Sequence, residues 1–415
     1  MILVMKDHPI VNVAIDQVAY GGDGIARLPD GRMVFVPGVI PGEQVTISIT
    51  EEKQKYVRGE VKEIITPSDQ RVEVPCPHFG SCGGCHYQQM HYDGQLRYKK
   101  HILLEQFQRI GHLVFTDEIV VFPSDLPYGY RNVMQFHPMP DGKLGLMKRN
   151  SNEVFALKTC LLPQQLIRES WSSLKIEADT GITRVELRQN NADELMIVFE
   201  GERGEIPEID MDMPASVIHR CKNENIVLSG DDALTLWVRD IPFRLSAGSF
   251  FQVNDGVAEK LVSYIVSQVE KRSPHTMLDL YAGVGLFSRF MAPLVKELIA
   301  VESSPQACSD FAINLDEFQH VSLYQGAVEQ VLPELQVKAE LAVCDPPRAG
   351  LHQNVIEALV NCGVDSLLYV SCDPATLARD VQRLCEKGYV VEEVALFDMF
   401  PQTYHFETVV LLNAV

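Results

Sequence analysis

Between residues 10 and 66, apolar and polar positions alternate in short runs, at 11–15, 32–36, 45–49 and 57–65. Turn signals separate them, including Gly21-Gly22-Asp23-Gly24 and Pro41-Gly42. Strand side chains point alternately to opposite faces, so a two-residue period broken by Gly and Pro predicts a small β-barrel. The pattern breaks at Pro67-Ser68-Asp69, and a helix is predicted over 93–110. Residues 115–245 read mostly as strands and loops, with strands expected at 118–122, 133–137, 184–187, 195–199, 216–219 and 234–239. From Ser246 the period changes again. A helix at 257–269 precedes short apolar runs at Thr276–Leu280, 298–301, Leu341–Cys344 and 366–370. Buried strands alternating with helices predict an α/β domain built on a doubly wound parallel sheet. The expected organisation is a barrel at 1–68, a central β-rich domain at 69–245 and the α/β domain at 246–415.

Composition narrows the class. The chain has 415 residues, 46% hydrophobic and 22% charged, the profile of a folded globular protein rather than a disordered or coiled-coil one. No apolar run approaches the ~18 residues of a membrane span. The first nine residues carry Lys6, Asp7 and His8 and lack a secretory apolar core, so a cytoplasmic protein is expected. Its ten cysteines should then be thiols, metal ligands or catalysts instead of disulfides. A net charge of −20 argues against nucleic acid at first sight. The acidity is uneven, however: residues 246–415 carry 10 bases and 22 acids, whereas residues 69–112 carry 5 and 4. A local basic face remains compatible with that distribution.

Four constellations carry chemistry. Cys76, Cys82 and Cys85 lie close together around Gly83-Gly84, and Cys160 is the natural fourth member. Four thiolates suit a [4Fe–4S] cluster or tetrahedral zinc; three close ligands and one distant one fit the cluster better than paired zinc knuckles. Buried, unligated thiols are the third reading. Next, Asp279-Leu280-Tyr281-Ala282-Gly283-Val284-Gly285 runs from an apolar strand into a glycine turn, the opening of a nucleotide-type crevice. A third glycine of the dinucleotide pattern is missing, and Glu302 follows at the end of the next expected strand, where a carboxylate can take two ribose hydroxyls. Third, Asp345-Pro346-Pro347-Arg348-Ala349-Gly350 leaves strand Leu341–Cys344 beside the same crevice. Fourth, Ser371-Cys372-Asp373-Pro374 places a thiol where a strand turns into a helix, a position expected to favour thiolate. Near the terminus, His405-Phe406-Glu407 puts an acid before an apolar strand, as an edge residue or a general base.

Together these motifs resemble the RNA 5-methyluridine methyltransferase family in order and separation. Residues 10–66, with Phe35-Val36-Pro37-Gly38, resemble an RNA-binding TRAM domain, and the cysteine set resembles the iron–sulfur site of the family's 23S ribosomal RNA members. The resemblance implies S-adenosylmethionine as methyl donor, a [4Fe–4S] cluster on Cys76, Cys82, Cys85 and Cys160, and RNA as partner: 23S rRNA first, tRNA as alternative. It implies Cys372 as the nucleophile adding to carbon 6 of uracil and Glu407 as the base. Gln252, Tyr281 and Glu302 would contact the cofactor, and Asp345 would lie beside them and the target base. Phe250, Phe251 and Arg131 are the candidates for contacting unstacked RNA. Asp373 stands where many members have Asn, and Leu286 where some have a polar residue.

Two other classes explain less of the sequence. An iron–sulfur nicotinamide oxidoreductase leaves Cys372 with Glu407 unexplained. A non-catalytic RNA-binding protein has no use for a thiol and a carboxylate at one crevice. The expected enzyme is a monomer, free of the membrane, with a basic track near Lys53, Lys55, Arg58, Arg97, Lys99 and Lys100.

Overall fold

The alternating pattern of residues 10–66 becomes six strands: β1 (Ile10–Ala14), β2 (Gln17–Val18), β3 (Gly24–Arg27), β4 (Met33–Val36), β5 (Gln44–Glu52) and β6 (Tyr56–Thr66). They pair in the order β1-β5-β6-β4-β3-β2. The long β5–β6 ribbon carries three register shifts, and such irregularities bend a strand pair enough to curl the sheet. Val34, Val36, Val45, Ile47 and Val57 point inward and are fully buried. Arg71 fastens the following segment to this barrel, donating to the buried Glu43 carboxylate at 2.5 and 2.8 Å.

The computed structural model describes residues 9–115, 118–176, 180–201, 214–222 and 224–415. The chain divides into two units. Unit 1 comprises Met1–Ile102, Met147–Glu153 and Phe400–Tyr404; unit 2 comprises Leu103–Leu146, Val154–Met399 and His405–Val415. Helix α1 (Tyr92–Arg109) begins in unit 1. There Gln95 and Gln402 exchange hydrogen bonds of 3.0 Å, and Lys99 donates to Phe400 O. Lys99 is therefore wholly buried and no part of a basic surface, because a carbonyl inside the fold takes its ammonium. Lys53 is paired with Glu51 and Arg58 with Asp23, and Arg97 donates to Gln70, so the expected track is largely engaged within the protein.

Unit 2 holds two larger sheets. β7 (Val120–Phe122) is followed by β8 (Val133–Pro138), β9 (Leu144–Met147), β10 (Val154–Ala156), helix α2 (Gln165–Ser170), β11 (Ile182–Gln189), β12 (Leu195–Gly201), β13 (Ser216–Cys221) and β14 (Glu224–Ser229). Strands β8 to β14 form one seven-stranded sheet, ordered β10-β9-β8-β11-β12-β13-β14. A hairpin, β15 (Ala233–Val238) with β16 (Ile241–Ser246), leads to α3 (Asp255–Arg272).

The alternating segment then runs β17 (Thr276–Leu280), α4 (Leu286–Met291), β18 (Glu297–Glu302), α5 (Pro305–Asn314), β19 (Val321–Gln325), α6 (Val328–Val331), β20 (Leu341–Cys344), α7 (Gln353–Asn361), β21 (Ser366–Ser371), α8 (Pro374–Glu386), β22 (Tyr389–Phe397) and β23 (Glu407–Ala414). Their sheet is ordered β19-β18-β17-β20-β21-β23-β22-β7. The doubly wound sheet has a parallel core and one antiparallel strand. β19 to β21 are parallel, but β23 is antiparallel to both β21 and β22. A short connection between β22 and β23 forces a hairpin, since parallel neighbours need a long crossover. β7, read with the central β-rich stretch, instead extends this sheet beside β22, where Phe122 stacks on Phe397 at 4.4 Å. Among the described residues, no helix is long and apolar enough to cross a membrane.

Candidate active site

Because β23 runs backwards, its first residue lies at the edge where the parallel strands end. One rim of the sheet thus collects the residues following β17, β18, β20 and β21 together with the start of β23. Open α/β sheets bind ligands at that rim.

The turn after β17 forms one half. Tyr281, Gly283 and Gly285 have φ of 65°, 56° and 90°. A Cβ on Gly285 would stand 2.4 Å from Leu315 Cδ1 and 2.9 Å from Phe311, so the turn needs glycine there to close onto α5. A Cβ on Gly283 would meet nothing within 4 Å: that side of the turn faces open space. Glu302, ending β18, accepts from Gly283 N at 2.9 Å and from Ser304 N at 2.7 Å. Its carboxylate is held in place with lone pairs to spare. Asp279 is fully buried; Ser288 Oγ donates to it at 2.5 Å, and its second oxygen has no partner. Burial, helped by the Glu302 charge, pushes its carboxyl up to about 6. Burial likewise raises the Tyr281 phenol.

The segment before α3 adds Gln252, which is buried, and whose carbonyl accepts from Asn132 Nδ2 at 3.0 Å. Phe250 is 68% exposed, as a base-stacking ring requires. Phe251 is not available for stacking: it is 6% exposed and packs near Phe243, because the chain turns inward between the two rings. Arg131 is half-buried and donates Nε to Val133 O.

The other half holds the thiol. β21 and β23 pair Ser371 with Thr408, so continuing that register sets Cys372 opposite Glu407. Asp345 follows β20 and donates its N–H to Leu280 O at 3.2 Å. The electrostatics bind these residues into one group. The Cys372 thiol is pushed up to about 12, chiefly by burial, then by Glu407 and Asp345, against the lowering effect of Arg348. The expected thiolate-favouring effect of the helix start is thus outweighed in the free enzyme by burial and two carboxylates. Glu407 is raised well above the usual carboxylate range by burial and by Asp345, with Arg348 opposing. Asp345 rises to about 7 through burial and the Asp279 charge. Carboxyl groups poised to hold protons near neutrality, around a thiol, are suited to proton transfer. Arg348 belongs to the Asp345–Gly350 motif, and its influence on a thiol distant in sequence is visible only in the fold.

The cysteine set is less complete. All ten cysteines are free thiols. In unit 1, Cys82 Sγ accepts from Gly84 N at 3.4 Å, and its thiol is raised by burial, the nearby Cys76 adding to this. Cys85 is buried, while Cys160 belongs to unit 2. The donor type fits soft-metal ligation. Among the described residues, however, no three His, Cys, Asp or Glu side chains gather as a metal-holding group.

The described sheet and its barrel define the class: a mixed α/β methyltransferase fold with an N-terminal TRAM barrel. The solved structure of the Pyrococcus abyssi tRNA (uracil-54, C5)-methyltransferase, bound to S-adenosyl-L-homocysteine, superposes with a TM-score of 0.75 at 24% identity, covering 97% of this chain and all of that one. The TRAM domain profile matches residues 10–62, and the tRNA (Uracil-5-)-methyltransferase profile matches 205–415. Uncharacterized RNA methyltransferases of Thermotoga maritima and Streptomyces avermitilis are 32% and 34% identical, covering 96% and 97% of this chain and 98% and 97% of theirs. The chain belongs to the tRNA (uracil-5-)-methyltransferase family.

Proposed function

We propose that this protein transfers a methyl group from S-adenosylmethionine to carbon 5 of a uridine in RNA, 23S rRNA in particular, through a covalent adduct on Cys372. The observation that carries the reading is the meeting of Cys372, Glu407, Asp345 and Arg348 on the same rim as the open glycine turn and Glu302. That turn fits the donor: Gly283 leaves room for it, and Glu302 offers fixed acceptor oxygens to ribose hydroxyls, with Tyr281 and Gln252 as further contacts. The donor supplies an electrophilic sulfonium methyl. Carbon 5 of uracil is a poor nucleophile, and the chain's own residues overcome this.

Cys372 releases its proton to water and its sulfur bonds to carbon 6 as the carbon 5–carbon 6 π bond breaks; the electron pair moves toward the carbonyl, leaving carbon 5 enolate-like and nucleophilic. Arg348 favours the thiolate that begins this step and Asp345 orients the base. After methylation, Glu407 takes the proton from carbon 5, and the returning electron pair expels the Cys372 sulfur. The target uridine must leave any stack to be reached, and Phe250 offers it or its neighbour an exposed ring. The ribosomal preference rests on the Cys76, Cys82, Cys85 and Cys160 set, proposed as ligands of a [4Fe–4S] cluster that takes no part in polar methyl transfer.

RNA carrying 5-fluorouridine tests the mechanism, because fluorine cannot leave as a proton does. Wild-type protein with S-adenosylmethionine should form an RNA–protein complex that survives denaturing electrophoresis. Cys372→Ala should form none, and Glu407→Gln should accumulate one even on ordinary uridine. A wild type that methylates uridine yet is not trapped by the fluorinated substrate overturns the adduct. Offering 23S rRNA fragments and tRNA transcripts side by side identifies the substrate, and methylation of tRNA alone would overturn the ribosomal choice.

A further inference from the structure

Helix α8 begins one residue after its N-cap, Asp373, and so starts beside Cys372. Almost two turns along, Asp380 is wholly buried, and its carboxylate accepts from Leu351 N at 2.8 Å, Tyr369 OH at 3.0 Å, Arg379 Nε at 2.8 Å, Arg379 Nη2 at 3.1 Å and Arg383 Nη1 at 3.4 Å. Arg379 Nη2 also donates to Ala349 O at 2.8 Å, and Thr376 Oγ1 to Arg348 O at 3.1 Å. Gly350 completes the seat. With φ of 77°, a Cβ there would lie 2.2 Å from Asp380 Oδ2. Side chains at 376, 379 and 380 of one helix therefore hold backbone groups at 348, 349 and 351 of one loop. That loop carries Arg348, whose charge acts to lower the Cys372 thiol and whose carbonyl Thr376 fixes in the first turn of the helix that starts beside Cys372.

A buried carboxylate is costly unless its oxygens are satisfied, and one that serves packing alone is often replaceable by an apolar side chain. Here the network ends on the backbone of the loop that carries Arg348, held against the helix that starts beside Cys372. We infer that Asp380 is a positioning residue for thiol addition, holding the 345–351 loop through Leu351 and Arg379 so that Arg348 stays close to Cys372. This rests on Cys372 being the nucleophile. Displacing Arg348 would leave the thiol facing only Glu407 and Asp345, which both disfavour its anion.

The test uses the full-length chain and two variants. Asp380→Asn weakens the whole network. Arg379→Met removes the grip on Ala349 O while leaving Asp380 paired with Arg383, and it serves if the first variant fails to fold. The rate of Cys372 alkylation by iodoacetamide, followed by peptide mass spectrometry from about pH 7 to 10, should fall roughly tenfold at each pH, the effect of a thiol pKa raised by about one unit. Trapping by 5-fluorouridine RNA should slow in proportion. S-adenosylhomocysteine affinity and alkylation of Cys385 should stay at wild-type values. Tyr369→Phe, which takes a donor from Asp380 without touching the loop, should leave Cys372 alkylation unchanged; an equal fall there would mean general loosening and would overturn the inference. Wild-type alkylation and trapping in Arg379→Met would overturn it too. Failure of the covalent reading looks different: the wild type itself is not trapped, whatever the alkylation rates.

Discussion

Asp279 shows most directly how burial sets chemistry at a single residue. Its carboxyl is pushed up to about 6 from an ordinary 3.8. Between about pH 4 and 6 the folded protein holds this proton and the unfolded chain does not. Folding therefore takes up a proton there, and the group's contribution to stability falls as pH rises through that window, staying low above it. Asp279→Asn removes the dependence. Relative to wild type, the variant should gain up to about 3 kcal/mol between pH 4 and 7, the worth of a shift of about two units. Urea denaturation across that range checks it. A constant difference would mean that Asp279 is ionised in the folded state at all these pH values. The same physics raises the Cys372 thiol, and its position at a helix start, legible in the sequence, did not reveal it. The carboxylates responsible lie at 345 and 407, remote from residue 372 in the chain.

At the scale of an element, the start of α8 was readable. Asp373-Pro374 is a capping signature: the Asp373 side chain accepts from Ala375 N at 3.0 Å and Thr376 N at 2.9 Å, and Pro374 occupies the first turn. Asn can make the same cap, so the departure from the family pattern is conservative here. Asp373→Asn should change stability by only a few tenths of a kcal/mol, whereas Asp373→Ala should cost about 1 kcal/mol. Thermal or urea unfolding of the two variants tests this, and an equal loss in both would show that the charge, instead of the cap, matters. Strands β17 and β20 coincide with their expected limits, since a continuous apolar run between turn residues marks a doubly covered strand. The direction of β23 left no such mark. Periodicity records which side chains are buried, and an antiparallel strand in a covered sheet is as apolar as a parallel one.

For the whole molecule, the cysteine set makes the sharpest demand. If Cys76, Cys82, Cys85 and Cys160 hold a [4Fe–4S] cluster, anaerobically purified protein should be brown and contain about four irons per chain. One tightly bound zinc without iron would replace the cluster with a tetrahedral site. The sequence by itself determined the barrel, the alternating strands and helices, and the motifs that place a thiol, an acid and a glycine turn at strand ends. These follow from local rules: side-chain period, turn chemistry, capping. Tertiary structure alone decided that Lys99 is buried, that Phe251 faces inward, that β7 extends the large sheet, and that Asp380 and Arg379 hold the loop carrying Arg348. Each depends on contacts between residues far apart in the chain, and the energies that settle them, desolvation and charge pairing, act through space and leave no local pattern to read.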